Sequence, residues 1–263
     1  MCFTDLSDRA SRASADAAAE ALRRMREQFF TIASHDLQHP IGNIYAAQRL
    51  LRETAGDDPF TVELLDEIER SLDAMQEIVS DFLETAALEA GALEVRLEPV
   101  DVEEILWRAA ARHAAAAQKK NIAIEISAAE CCALADPRRL AQAVGNLLSN
   151  ALKYSPPGSQ VALTASAAGG RVRISVRDQG PGIAPAERNR LFSQFGRTSA
   201  RPTGGESSTG LGLWIVRQLA ALQNGQVGVE CPQAGGSVFW PVSYTHLRAH
   251  ETPEHLVCRL LLE

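Results

Sequence analysis

The sequence predicts an antiparallel helical hairpin followed by an α/β sandwich, an α + α/β chain of 263 residues, on three observations. The first is a helical period. Phe30, Ala33, Leu37, Ile41, Ile44, Ala47 and Leu51 recur every three or four residues and form one stripe at ~100° per residue. Leu65, Ile68, Leu72, Met75, Val79 and Phe82 form a second stripe, and the turn cluster Gly56-Asp57-Asp58-Pro59 lies between the two. The second is a change of period beyond Gly91. Alternating stretches near 121–127, 160–166, 171–178, 226–231 and 236–240 interleave with helical ones near 102–118, 137–153 and 211–223. The third is composition: 46% apolar content suffices for two modest cores.

Taken in order, residues 1–24 belong to an Ala-rich, highly charged stretch read as a connector helix running into the next element. Residues 25–92 form the hairpin. Two amphipathic helices joined by a short turn expose an apolar seam too wide for one pair to bury, so a homodimeric four-helix bundle is expected. Pro40 lacks an N–H and is expected to bend the first helix. Residues 93–240 form the sandwich, entered through Ala92 to Leu97. Within it, residues 186–208, rich in Arg, Ser, Thr and Gly, are expected to be a mobile lid.

Charge and composition exclude several classes. A net charge of −7 argues against nonspecific nucleic-acid binding. No apolar run approaches the ~18 residues that span a bilayer, and the N-terminus does not read as a signal peptide. Cys2, Cys131, Cys132, Cys231 and Cys258 lack metal-ligand spacing, and the adjacent pair reads as part of a strand. A reduced cytoplasmic setting is the simplest expectation, although a membrane anchor in a missing N-terminal part is compatible with it.

Four groups of residues carry chemistry. His35 lies two residues from both Ala33 and Leu37, so it faces away from the stripe toward water, with Asp36 beside it. An exposed helical His is by itself ordinary. With a neutral ring nitrogen it is also a nucleophile for a γ-phosphoryl group, and a neighbouring carboxylate would fix its tautomer. In the stretch Asp136 to Tyr154, Asn146 and Asn150 stand one turn apart, where Asn is a poor helix residue. An amide oxygen suits Mg²⁺, and Lys153 suits a phosphate on the same face; a plain polar face is the alternative. Asp178 ends an alternating strand and precedes Gly180, Gly182 and Ile183, a carboxylate placed to accept from an exocyclic amine such as that of adenine. Finally, Thr209-Gly210-Leu211-Gly212-Leu213 runs from a small-residue loop into an apolar helix, whose free N–H groups suit phosphate.

In this order the motifs resemble the catalytic core of bacterial two-component sensor histidine kinases. Ser34-His35-Asp36-Leu37 with Pro40 is similar to the H box, Asn146 to Lys153 to the N box and Asp178 to Ile183 to the G1 box. Leu191-Phe192 with Phe195-Gly196-Arg197 is similar to the F box, and Thr209 to Leu213 to the G2 box. The resemblance implies a dimerisation and phosphotransfer hairpin followed by a Bergerat-type ATP-binding domain. It implies His35 as phosphoacceptor, Asp36 as the group assisting removal of its proton, and Asn150 as the Mg²⁺ ligand. Asn146 and Lys153 would contact phosphates and Asp178 would read adenine. Tyr154, Phe195 and Arg197 would complete the ATP site with the glycines and Ile183. The implied cofactors are ATP and Mg²⁺. The implied partners are a second copy, a response-regulator receiver domain accepting the phosphoryl group on aspartate, and an upstream sensor absent from this chain.

Three departures qualify the resemblance. Gln38 and His39 replace residues usually basic and Thr or Asn, which puts regulator dephosphorylation in doubt. Ser208 replaces a frequent glycine before Thr209. Pro241 to Glu263 resembles translated adapter sequence and is set aside as a suspected non-native tail, whose His246, His250 and His255 are not read as a metal site. A related ATPase, which would carry Glu where Asn146 stands, and a catalytically silent dimeric scaffold remain the alternatives.

Overall fold

The computed structural model describes residues 38, 40–54, 58–129, 131–204, 206, 208–232 and 235–247. Its contacts divide the chain into two units that meet between Glu94 and Val95. His35, Asp36 and His39 lie outside the described residues, as do the expected connector and the segment beyond residue 247.

The first unit is a helical hairpin. Helix α1 covers 40–54 and α2 spans Pro59–Glu89. Asp58 caps α2 by accepting from the Thr61 amide, with Pro59 in the first turn where its missing N–H costs nothing. The helix ends at Glu89 with Ala90 as its cap, and Gly91 just beyond takes a left-handed φ of 62°. Inside the hairpin Ile41, Gln48, Leu65 and Leu72 are buried, and the Gln48 amide donates to the Leu65 carbonyl at 3.1 Å. Tyr45 donates to Asp73, and Arg52 pairs with Asp66 and Glu69.

The two apolar stripes therefore divide. Ile44, Leu51, Met75 and Phe82 stay exposed, together with Leu50, Phe60, Leu64 and Ile78. Each stripe is wider than the partner helix covers, so the hairpin buries only part of it.

The second unit is a two-layer sandwich. Its strands are β1 (Glu98–Asp101), β2 (Ala123–Ala128), β3 (Cys132–Ala135), β4 (Gln160–Ala168), β5 (Arg171–Arg177), β6 (Gln226–Glu230) and β7 (Val238–Leu247). They run in the order β1-β3-β7-β5-β4-β2, with β6 also paired to β7; β2 and β4 are parallel and the other pairs antiparallel. Helices α3 (Val102–Lys119), α4 (Pro137–Tyr154) and α5 (Gly212–Leu222) cover one face. Alternation on β4 and β5 turns Val161, Leu163, Val172, Ile174 and Val176 toward Leu106, Leu147, Leu148, Ile215 and Leu219, all buried. Strands β1 and β3, four residues each, were not anticipated apart from the Cys131-Cys132 pair, of which Cys132 opens β3 and Cys131 precedes it.

Asp136 ties the elements together. It caps α4 by accepting from the amides of Arg138 (3.0 Å) and Arg139 (3.1 Å), accepts from Arg96 at 3.0 Å, and donates its own N–H to Gln223 at the end of α5. Burial pushes its carboxyl up, but these backbone donors hold it below the ordinary carboxylate range.

Strand β7 crosses the boundary expected at Pro241. Pro241 pairs with Val227, Tyr244 with Val172, and Leu247 with Cys132. A chain cut after Trp240 loses these ladder positions, so it is expected to melt at a lower temperature than one cut after Leu247. Equal melting temperatures by circular dichroism would show that positions 241–247 contribute nothing.

Candidate nucleotide site

The second unit brings together predicted nucleotide-site residues from α4, from the turn after β5 and from the start of α5. Helix α4 runs from its Asp136 cap to Tyr154 with an apolar face buried against the sheet, leaving Asn146 and Asn150 half-buried on the opposite side. The Asn146 amide donates to the carbonyl of Gly212 at 3.4 Å, so the polar face of α4 meets the start of α5. Lys153 and Tyr154 occupy the last turn of α4.

Asp178 follows β5 and is 4% exposed. One carboxylate oxygen accepts from the Gly180 N–H at 2.8 Å and the Ser237 N–H at 3.0 Å. Its backbone N–H donates to the Ser237 carbonyl at 2.9 Å. Burial pushes its carboxyl above the ordinary range, and the two backbone donors only partly offset this. The tight turn after it requires glycine. A Cβ at Gly180 would stand 3.0 Å from both the Asp178 carboxylate and the Tyr154 carbonyl, and Gly182 has φ 73°. Ile183 is half-buried just beyond.

Two residues of this pocket were missed. Ser237 supplies the backbone pairing that fixes Asp178, and Gly236, at φ 77°, leaves no room for a Cβ, which would lie 2.2 Å from the Asp178 carbonyl. The Gly235-Gly236-Ser237 run was visible only as the approach to a last strand.

The far wall is the start of α5. Thr209 accepts from the Leu211 N–H at 3.2 Å, Gly210 has φ 74°, and a Cβ at Gly210 would press on Phe195 backbone at 3.1 Å. The helix starts at Gly212 with no side-chain cap, and Leu213 follows half-buried. Helix N-termini leave four N–H groups without intrahelical partners, so this one is open to an anion.

The intervening loop has two anchors. Leu191 is buried and Phe192 stacks edge-on against Phe239 with centroids 6.5 Å apart. Phe195 has φ 57° and is 64% exposed, and Arg197 donates to the Ser208 carbonyl. The segment expected as a mobile lid thus carries its own bonds, including the Ser199 N–H to Glu187 at 2.7 Å.

These features fit an adenine nucleotide: a buried carboxylate acceptor, a turn that only glycine can make, and an uncapped helix N-terminus beside the Asn146 amide. Among the described residues no group of three His, Cys, Asp or Glu side chains could hold a metal, and no helix is long and apolar enough to cross a membrane. The Asn150 amide is the hard oxygen donor that fits Mg²⁺.

An acid-side loss of affinity is expected from Asp178. Its raised carboxyl takes up a proton at a pH above the ordinary ~3.9, so an amine held by the ionised form, such as that of adenosine, should lose affinity from that higher pH downward. Its own contribution to folding has the opposite sign, because the folded state binds this proton more readily than the unfolded chain. Adenosine affinity flat down to pH 4 would contradict the assignment.

Comparison with known proteins agrees with this geometry. Residues 25–91 match the His Kinase A (phospho-acceptor) domain, and residues 135–246 match the histidine kinase-, DNA gyrase B- and HSP90-like ATPase family. The sensor-like histidine kinase SenX3 of Mycolicibacterium smegmatis is 34% identical over 219 residues, 81% of this chain and 56% of that protein. The chain spans about half the length of the curated relatives it matches. Among solved structures, full-length ShkA in complex with AMPPNP is 34% identical with a TM-score of 0.67, over 84% of this chain and 47% of that one. The mycobacterial sensor histidine kinase MprB is 30% identical with a TM-score of 0.51, over 56% of this chain and 98% of that one.

Proposed function

The chain belongs to the histidine kinase family, and from that premise we propose that it autophosphorylates His35 from Mg-ATP and passes the phosphoryl group to an aspartate of a response regulator. The observation that carries the reading is the buried Asp178 carboxylate, fixed by the Gly180 and Ser237 N–H groups beside the Tyr154 end of α4, while the Asn146 amide of α4 meets the uncapped start of α5.

In this reading Asp178 accepts from the adenine amine, and Gly180 and Gly182 let the base approach the backbone. Lys153, Asn146 and the amides of Gly210 to Leu213 hold the phosphates. Asn150 would hold Mg²⁺ through its amide oxygen, and the ion would supply charge neutralisation at the phosphates. His35 attacks the γ-phosphorus through a neutral ring nitrogen, ADP leaves, and Asp36 stabilises the imidazolium until its proton departs. The exposed stripe of Ile44, Leu51, Met75 and Phe82 is the seam for a second copy, completing a four-helix bundle.

Hydrolysis is disfavoured at one position. A water-activating carboxylate would have to stand at Asn146, whose amide accepts no proton at neutral pH and already donates to Gly212. The test is incubation with γ-labelled Mg-ATP followed by addition of a receiver domain. Protein-bound label that chases onto the receiver supports the kinase; free phosphate without bound label would favour an ATPase.

A further inference from the structure

Lys120, just past the end of α3, has no role in the scheme above. Its side chain is 11% exposed and its ammonium is densely bonded. It donates to the carbonyls of Leu152 (2.8 Å) and Lys153 (3.0 Å), to the Thr203 hydroxyl (2.8 Å), and pairs with Glu206 at 2.6 Å. Thr203 in turn donates its hydroxyl to the Ser155 carbonyl at 2.7 Å and its N–H to the Lys153 carbonyl at 2.9 Å. A lysine that only capped α4 would need the two helix carbonyls and nothing more. Here the same ammonium also fastens residues 83 positions away in sequence. Burial pushes the Glu206 carboxyl up, but the hydrogen bond from Lys120 and the Gly204 N–H hold it below the ordinary range.

The two fastened segments are the two sides of the phosphate end of the site. The last turn of α4 carries Lys153 and Tyr154, and the 203–206 stretch leads into Thr209 and Gly210. A partly buried ion pair is a poor way to gain stability alone, because desolvation offsets its Coulomb energy, but its directed bonds fix two backbones in one register. We propose that Lys120 is a positioning residue for the nucleotide's phosphates, holding the Lys153 turn and the loop entering α5 at one fixed separation through Thr203 and Glu206. The proposal rests on the nucleotide reading of the site. No bond from Lys120 reaches Asp178 itself, so the larger effect is expected at the phosphates rather than at adenine.

The test uses the full chain and compares Glu206→Gln, Lys120→Met and Lys120→Arg with the parent for Mg-ATP affinity, adenosine affinity and labelling rate at saturating Mg-ATP. Glu206→Gln keeps the helix-capping bonds of Lys120 and so guards against a folding failure of Lys120→Met. Loss of a partly exposed pair should raise the KM for Mg-ATP by about 3- to 10-fold, with adenosine affinity and saturating rate within about twofold of the parent. Lys120→Arg, which keeps the charge, should recover most of that loss. Unchanged KM in Glu206→Gln and Lys120→Met, or parallel loss of ATP and adenosine binding, would overturn the proposal while leaving the nucleotide site intact. A parent that binds neither ligand would instead remove the reading beneath it.

Discussion

Asp178→Asn is expected to lower adenosine and Mg-ATP affinity by about 100-fold, equivalent to about 2.7 kcal/mol, the scale of a lost charge-assisted hydrogen bond in a buried site. The amide oxygen replaces the carboxylate oxygen that accepts from Gly180 and Ser237. Its nitrogen then presents N–H donors where a donor amine must bind, and two donors repel. The fold should survive. Burial already penalises the charged form of Asp178, so a neutral amide removes that penalty, and the melting temperature should stay within a few degrees of the parent or rise. Calorimetric titration of adenosine together with a melting curve separates the two effects. Affinity within a few-fold of the parent would remove Asp178 as the adenine reader.

His35→Gln and Asn150→Ala are expected to abolish labelling by different routes. The first deletes the nucleophile and leaves the second unit untouched, so Mg-ATP should bind as in the parent while acid-labile, base-stable label disappears. The second deletes a carbonyl oxygen on the polar face of α4, so Mg-ATP affinity should fall and labelling with it. In mixed dimers each chain supplies what the other lacks. Label on the Asn150→Ala chain would report transfer between copies; its absence in verified mixed dimers would report transfer within one. Label persisting on His35→Gln alone would sink the assignment of the nucleophile.

The sequence made the local features of the site legible and hid the long-range ones. Gly182 and Gly210 take the left-handed backbone, and α4 and α5 begin and end close to the expected positions, because those features follow from residues adjacent in the chain. Ser237 pairs with a residue 59 positions away, and Lys120 binds a loop further still; neither pairing leaves a periodic trace. Strands β1 and β3 are too short for alternation to register. In the hairpin, periodicity gave the stripes but not their division. Ile41 and Ile44 looked equivalent, yet only Ile41 is buried within the hairpin, since a period alone does not say how many neighbours a face will have.

We propose that the nucleotide site around Asp178 serves one acceptor, His35. Its most direct test is to locate the phosphoryl group on the intact chain after incubation with Mg-ATP, by peptide mass spectrometry kept at neutral to alkaline pH. Phosphate is expected on the imidazole of His35, labile to acid and stable to base. Phosphate on His39, Ser34 or Thr31, or an acid-stable ester anywhere in that peptide, would contradict it.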